Sequence, residues 1–145
     1  MTDSKLVFLD TSPIIYFLER NTRYYECLSK YLKKLDSYGV IFYTSVVSIE
    51  EYLVTPLKND DSNLVRAFYE FLEIMDINVI HIDEMIADDA AHVRAKYGGI
   101  KGMDALQLAA FEASHAEVFL TNDKQLVQYS PSKVKLVDDL MSADE

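Results

Sequence analysis

Four carboxylates, Asp10, Glu51, Asp104 and Asp123, are spread over most of the chain, and each stands beside a short apolar run or near the start of a segment with helical spacing. Thr11 and Ser12 follow the first, and Thr121 and Asn122 precede the last. Carboxylates gathered within a few ångströms repel one another, and some stay protonated unless a cation offsets them. An all-oxygen set without cysteine or paired histidine favours Mg²⁺ or Mn²⁺ over zinc. Such an ion lowers the pKa of a bound water, aligns it for in-line attack on a phosphodiester and stabilises the departing oxygen, so no protein nucleophile is required. The neighbouring hydroxyls and amide, Thr11, Ser12, Thr121 and Asn122, would orient ligands or water behind the acids.

The elements that must position these acids can be read from patterning. Five short runs rich in β-branched or aromatic residues predict strands at Lys5 to Leu9, Val40 to Thr44, Asn78 to Ile82, Glu117 to Thr121 and Lys133 to Val137. Helical spacing covers Pro13 to Glu19, Tyr24 to Leu35, Ser48 to Leu57, Leu64 to Met75, Met85 to Tyr97 and Asp104 to Ser114. Ser12-Pro13 puts proline at a first helical position, and Ser62 is placed to cap the helix carrying Val65, Phe68, Tyr69 and Leu72. Gly98-Gly99 splits the stretch between the third and fourth strands into two helices. Strands alternating with helices, with inner members apolar on both faces, imply an α/β fold with a parallel sheet between helical layers.

That fold class locates the acids. A crossover helix runs back against the strands, so it begins at the edge where strands end. Asp10 directly follows the first strand, Asp123 lies just past the fourth, and Glu51 and Asp104 fall near helix starts. All four therefore belong at the carboxyl edge of the sheet, where open α/β sheets bind ligands at the reversal of strand order.

Composition sets the limits. The chain has 145 residues, half of them apolar, which suits one domain spanning residues 1–145. No apolar run approaches the roughly 20 residues that span a bilayer, and Met1 to Lys5 lacks the charged start of a leader, so a cytoplasmic protein without a membrane partner is expected. Cys27 is the lone cysteine and has no partner for a disulfide; core filling is its expected role. The net charge of −10 sits awkwardly with a nucleic-acid substrate, because affinity for phosphates normally comes from lysine and arginine. Bound divalent cations or a basic protein partner would supply the missing positive charge.

Four stretches together carry a family resemblance. Leu9-Asp10-Thr11-Ser12, Ser45-Val46-Val47-Ser48-Ile49-Glu50-Glu51-Tyr52, Asp104-Ala105-Leu106-Gln107-Leu108-Ala109-Ala110 and Leu120-Thr121-Asn122-Asp123-Lys124 resemble, in order, the PIN-domain nucleases, especially the toxin-type VapC ribonucleases. The resemblance implies a three-layer α/β/α fold around a five-stranded parallel sheet. It also implies a Mg²⁺ or Mn²⁺ site formed by Asp10, Glu51, Asp104 and Asp123, and metal-dependent hydrolysis of RNA. Toxin-type members pair with an antitoxin, here expected to be basic, and commonly form homodimers.

The second acidic position stays open at this level. If Val46, Ile49, Leu53 and Leu57 define the buried arc of their helix, Glu50 falls inside it and Glu51 at its margin. The Ser48-to-Glu51 spacing of a capping box favours Glu51. Blander roles exist for every acid: Asp10 as a helix cap, Asp104 as a dipole partner at a helix start, Asp123 as a turn residue, and Glu50-Glu51 as an exposed pair. His81, His92 and His115 are scattered and read as packing or surface residues. Asp60-Asp61, Asp88-Asp89 and Asp138-Asp139 read as solvated helix ends, and Ser142 to Glu145 as a frayed end. Tyr16, Phe17, Tyr24, Tyr31 and Phe71 read as core or interface aromatics rather than base-stacking platforms. Two rival functions are a phosphatase-like hydrolase using Asp10 as nucleophile, which would want a second aspartate where Ser12 stands, and a catalytically silent PIN-like binding module.

Overall fold

The computed structural model describes residues 6–142. Five strands, β1 (Leu6–Leu9), β2 (Ile41–Ser45), β3 (Asn78–Ile80), β4 (Val118–Thr121) and β5 (Val134–Leu136), form one sheet in the order β3-β2-β1-β4-β5, and every neighbouring pair is parallel. The expected strands are all present, trimmed or shifted by one or two residues; Lys5 lies outside the described residues. Strand order reverses at β1, which pairs β2 on one side and β4 on the other. Just past that point the Asp10 amide donates to the Leu120 carbonyl at 2.9 Å, tying the end of β1 to β4.

Helices α1 (Thr11–Leu18), α2 (Tyr25–Ser37), α3 (Val46–Lys58), α4 (Ser62–Ile74), α5 (Glu84–Lys96), α6 (Gly102–Ser114) and α7 (Val137–Ser142) surround the sheet, with a 3-10 helix at Lys124–Tyr129. Alternation along β1 separates two cores. Val7 and Leu9 join Ile14 of α1, Leu28 and Leu32 of α2, Tyr52 of α3, Phe68 of α4 and Val137 of α7, whereas Phe8 joins Ile86 and Val93 of α5 and Leu108 and Phe111 of α6. On the second side Phe8 stacks on Phe119 at 5.4 Å, and Phe111 meets Phe119 edge-on at 5.5 Å. Cys27 is buried in the first core, where Tyr16, Phe17, Tyr24, Tyr31 and Phe71 also pack. Apolar packing on both faces explains why β1 and β4 read as nearly continuous hydrophobic runs.

Several local expectations are corrected. Thr11, not Pro13, opens α1, so the proline is its third residue. Asp61 rather than Ser62 caps α4, its carboxylate accepting from the Leu64 amide at 3.1 Å; it is the residue standing three before that orphan donor. No Ser48–Glu51 capping box forms, because α3 begins at Val46 and Ser45 is its cap, accepting from the Val47 amide at 3.0 Å. The buried face of α3 is Val47, Ser48, Tyr52 and Pro56, while Leu57 is 60% exposed. Burial of a hydroxyl at Ser48 turns the helix away from the arc that apolar spacing alone defines. Asp88 and Asp89 lie within α5, not at its end, and both are exposed. Ser142 closes α7, and residues 143–145 lie outside the described residues. No helix among the described residues is long and apolar enough to cross a membrane.

Candidate functional site

A crevice of about 750 Å³ opens at the carboxyl edge of the sheet, lined by Asp10, Thr11, Ser12, Ile15, Tyr16, Glu51, Asp104, Thr121, Asn122, Asp123 and Lys124. All four acids singled out in the sequence reach it, as do all four of their polar neighbours. Three of the acids also serve the local structure in the blander ways. Asp10 caps α1 by accepting from the Thr11 amide at 2.8 Å, Asp104 stands in the first turn of α6, and Asp123 caps the 3-10 helix by accepting from the Gln125 amide at 3.0 Å. A cap and a ligand are compatible roles, because one carboxylate has more lone pairs than a cap uses.

Asp10 is buried, 6% exposed, and held by three donors. Its Oδ1 accepts from the Thr11 amide and from Gln107 Nε2 at 3.1 Å, and its Oδ2 accepts from the Thr121 hydroxyl at 2.8 Å. Burial pushes its pKa up to about 6; the hydrogen bond from Thr121, and more weakly those from the Thr11 amide and Gln107, pull the other way, and the nearby Asp104 charge adds to the rise. Asp104 is half-buried, and its pKa is also raised, first by burial and then by Asp123 and Glu51, with Lys101 opposing. The acids therefore feel one another across the crevice.

Glu51, at the margin of the buried face of α3, accepts a 2.6 Å hydrogen bond from the Thr11 hydroxyl. Glu50 is exposed and does not line the crevice. Ser12 accepts from the Asn122 amide at 3.1 Å, fastening the α1 start to the loop after β4. Thr121 accepts from the Asp123 amide at 3.1 Å while donating to Asp10, so one hydroxyl serves both aspartates. His92 pairs with Asp88 at 3.7 Å on the surface, and His81 and His115 are exposed; none of the three lines the crevice.

As the side chains stand, no group of three or more His, Cys, Asp or Glu among the described residues could hold a metal ion. The donor set nevertheless suits a hard divalent cation. It offers carboxylate oxygens from four segments, and no hydrogen bond among the described residues reaches the Asp104 carboxylate, which two other acids repel. A bound cation would offset that repulsion, as Lys101 does in part.

Pattern reading passed over the polar floor beneath these acids. Thr44, Ser45, Ser48 and Gln107 are each 0% exposed and hydrogen-bonded together under Asp10 and Thr11. The available signal was Gln107 itself: it lies three residues after Asp104, on the same side of α6, in an otherwise apolar run. Lys124, the residue after Asp123, also lines the crevice.

Residues 7–130 match the family profile of the PIN domain. The chain belongs to the PIN-domain family. Solved structures with the same PIN fold include VapBC2 from Rickettsia felis bound to a DNA fragment from their promoter, at 15% identity and a TM-score of 0.69, covering 90% of this chain and 98% of that one. A toxin-antitoxin complex from Klebsiella pneumoniae is similar at 18% identity and a TM-score of 0.67, covering 90% and 97%. DNA-bound VapBC from Salmonella typhimurium is similar at 16% identity and a TM-score of 0.71, with the same coverage of 90% and 97%. At these identities the likeness is one of fold. No curated protein matches the sequence.

Proposed function

We propose that this PIN-domain chain is a Mg²⁺- or Mn²⁺-dependent endoribonuclease, the toxin of a toxin-antitoxin pair, with residues 1–145 acting as a single nuclease domain in the cytoplasm. The observation that carries the reading is the convergence of Asp10, Glu51, Asp104 and Asp123, from four separate segments, on one crevice at the switch point of a parallel sheet. These four residues would hold the metal. When bound, the ion supplies Lewis-acid stabilisation of a phosphoryl oxygen and lowers the pKa of a water.

The chain's own groups prepare that chemistry. Three donors fix the Asp10 carboxylate, and the Thr11 hydroxyl fixes Glu51, so both acids are oriented before a substrate arrives. Lys124 lies at the crevice to meet a phosphate of the strand, and Tyr16 and Ile15 form its apolar wall. Nothing favours a phosphoenzyme route through Asp10. The position where a second acid would be wanted holds Ser12, whose hydroxyl is engaged with the Asn122 amide.

The similar complexes from Rickettsia, Klebsiella and Salmonella support an antitoxin partner. A basic antitoxin segment would complement the acidic crevice, and Val54, Leu57 and Tyr69, exposed on α3 and α4, offer apolar surface for the antitoxin or for a homodimer.

Purified protein is expected to cleave RNA with Mg²⁺ or Mn²⁺ and to stop when the ions are chelated. Asp10→Asn and Asp104→Asn should each abolish cutting while circular dichroism stays unchanged. Equal cleavage by the Asp104→Asn protein would show that a contaminant or another site does the work.

A further inference from the structure

The polar floor under the crevice has a direction. Gln107 is fully buried on α6, and its Oε1 accepts from the Ser45 hydroxyl, whose oxygen also caps α3. With its oxygen committed there, the amide must aim Nε2 the other way, toward Asp10 Oδ1 at 3.1 Å and Ser48 Oγ at 2.8 Å. Turned over, it would set an oxygen against a carboxylate and leave the Ser45 hydroxyl without an acceptor.

Proton counting extends the chain. Thr11 has one hydroxyl proton, and the acceptor 2.6 Å away, Glu51 Oε1, takes it. The contact of 3.1 Å between Thr11 and Ser48 is then donated by Ser48. Thr44 shares its single proton in a three-centre bond between the Leu9 carbonyl and Ser48 Oγ, both at 2.8 Å. One amide thus donates directly to Asp10 and, through Ser48 and Thr11, indirectly to Glu51. Two acids that belong to different elements, the end of β1 and α3, are set by a single side chain from a third, α6. An amide is the group that fits: a carboxylate at position 107 would repel Asp10, and an apolar chain would take a hydrogen bond from each of Asp10, Ser45 and Ser48 and leave the buried Ser45 hydroxyl proton without an acceptor.

We propose that Gln107 is a positioning residue of the acidic centre, holding Asp10 and Glu51 in register so that their remaining lone pairs can serve one divalent cation. The proposal rests on the metal-centre reading above. Outer hydrogen-bond partners of metal ligands typically change metal affinity by about 10- to 100-fold when removed. Cutting both arms should therefore cost more than cutting one.

The test compares wild type with Gln107→Met, which severs both arms, and Ser48→Ala, which removes the relay to Glu51 through Ser48 and leaves only a 3.5 Å contact from Gln107 Nε2 to the Thr11 hydroxyl. The Mn²⁺ dissociation constant of each protein is read by electron paramagnetic resonance, and metal-free crystal structures of all three are solved. Gln107→Met is expected to weaken Mn²⁺ binding about 10- to 100-fold, with Ser48→Ala intermediate, and to show the Asp10 carboxylate rotated and the Thr11–Glu51 bond broken. Should Gln107→Met fail to fold, Ser48→Ala still reads the Glu51 arm. Unchanged Mn²⁺ affinity with both carboxylates in place overturns the proposal. A wild type that binds Mn²⁺ but cuts no RNA sinks the nuclease reading and leaves this one standing. A wild type that binds no Mn²⁺ overturns the cation role outright, and the crystal structures then decide whether Gln107 orients the acids at all.

Discussion

At the scale of single residues, Asp10 carries an energetic load that its neighbours only partly relieve. Its folded pKa of about 6 lies above the usual carboxylate value of 3.8, so between those two values the folded state binds the extra proton. The contribution of Asp10 to stability is then greatest below pH 4, falls as pH rises toward 6, and levels off above. The shift corresponds to roughly 2 to 3 kcal/mol withheld at neutral pH. Asp10→Asn should therefore raise the melting temperature of the chelator-treated protein by several degrees at pH 7.5 and leave it nearly unchanged at pH 4. Melts across pH 4 to 7.5 check this; a variant melting lower than wild type at pH 7.5 refutes it. The same proton competes with a cation, so cleavage should rise with pH through about 6. Asp10 and Asp123 were legible in the sequence because an acid directly after a strand has only one edge to occupy. Choosing Glu51 over Glu50 needed the rotation of α3, which apolar spacing misjudged because the helix buries Ser48. The role of Gln107 was hidden for the same reason, although its place three residues after Asp104 hints at it: a buried polar residue follows its hydrogen-bond partners, and those come from elements distant in sequence.

Among the elements, the turn between α5 and α6 decides where Asp104 falls. Gly99 sits at φ +85°, and a Cβ there would come within 2.7 Å of Gln125 Oε1, whereas Gly98 has open space around it. Gly99→Ala is expected to destabilise the fold by about 1 to 2 kcal/mol, since the backbone must strain or shift and Gln125 must move. Gly98→Ala should stay within about 0.5 kcal/mol of wild type. Urea unfolding of the pair measures both, and equal midpoints would show that the turn tolerates a side chain. The Gly98-Gly99 break was readable because glycine punctuation has a local cause. The 3-10 helix at Lys124–Tyr129 and the short α7 were missed because neither is long enough to display a period. The α7 start also explains why β5 stops at Leu136: Val137, which continues the apolar run, is the first residue of the helix and packs into the core.

For the whole molecule, the question is how a chain with 24 acidic and 14 basic residues holds a polyanion. The cations are few, but some stand beside the acidic crevice where the proposed substrate would bind. Lys124 lines the acidic crevice. Next to it, a cavity of about 560 Å³ shares Glu51 and Asp104 and is lined by Arg94 and Lys101, with Ala87, Ala90, Ala91, Met103 and Leu106 forming an apolar wall. Lys101 is near enough to Asp104 to lower its pKa against the other acids, and Arg94 Nη1 lies 3.7 Å from where a Cβ on Gly102 would stand. A strand bound over the acids would come within reach of these cations, which concentrates favourable charge near its path while the rest of the surface repels it. Each lost phosphate contact on a single strand removes about 0.7 from the slope of log affinity against log salt. In the cleavage-silent Asp104→Asn background, Arg94→Ala combined with Lys101→Ala should therefore flatten the salt dependence of binding to a single-stranded RNA oligonucleotide by about 1 to 1.5. Exchanging exposed Lys30 and Lys33 on α2 instead should leave that slope in place, since neither lines the crevice or its neighbouring cavity. Fluorescence anisotropy over a range of NaCl concentrations separates the two pairs. Equal slopes for both would mean that the strand does not follow this path, and that the missing positive charge enters with a bound cation or a basic partner rather than from the chain itself.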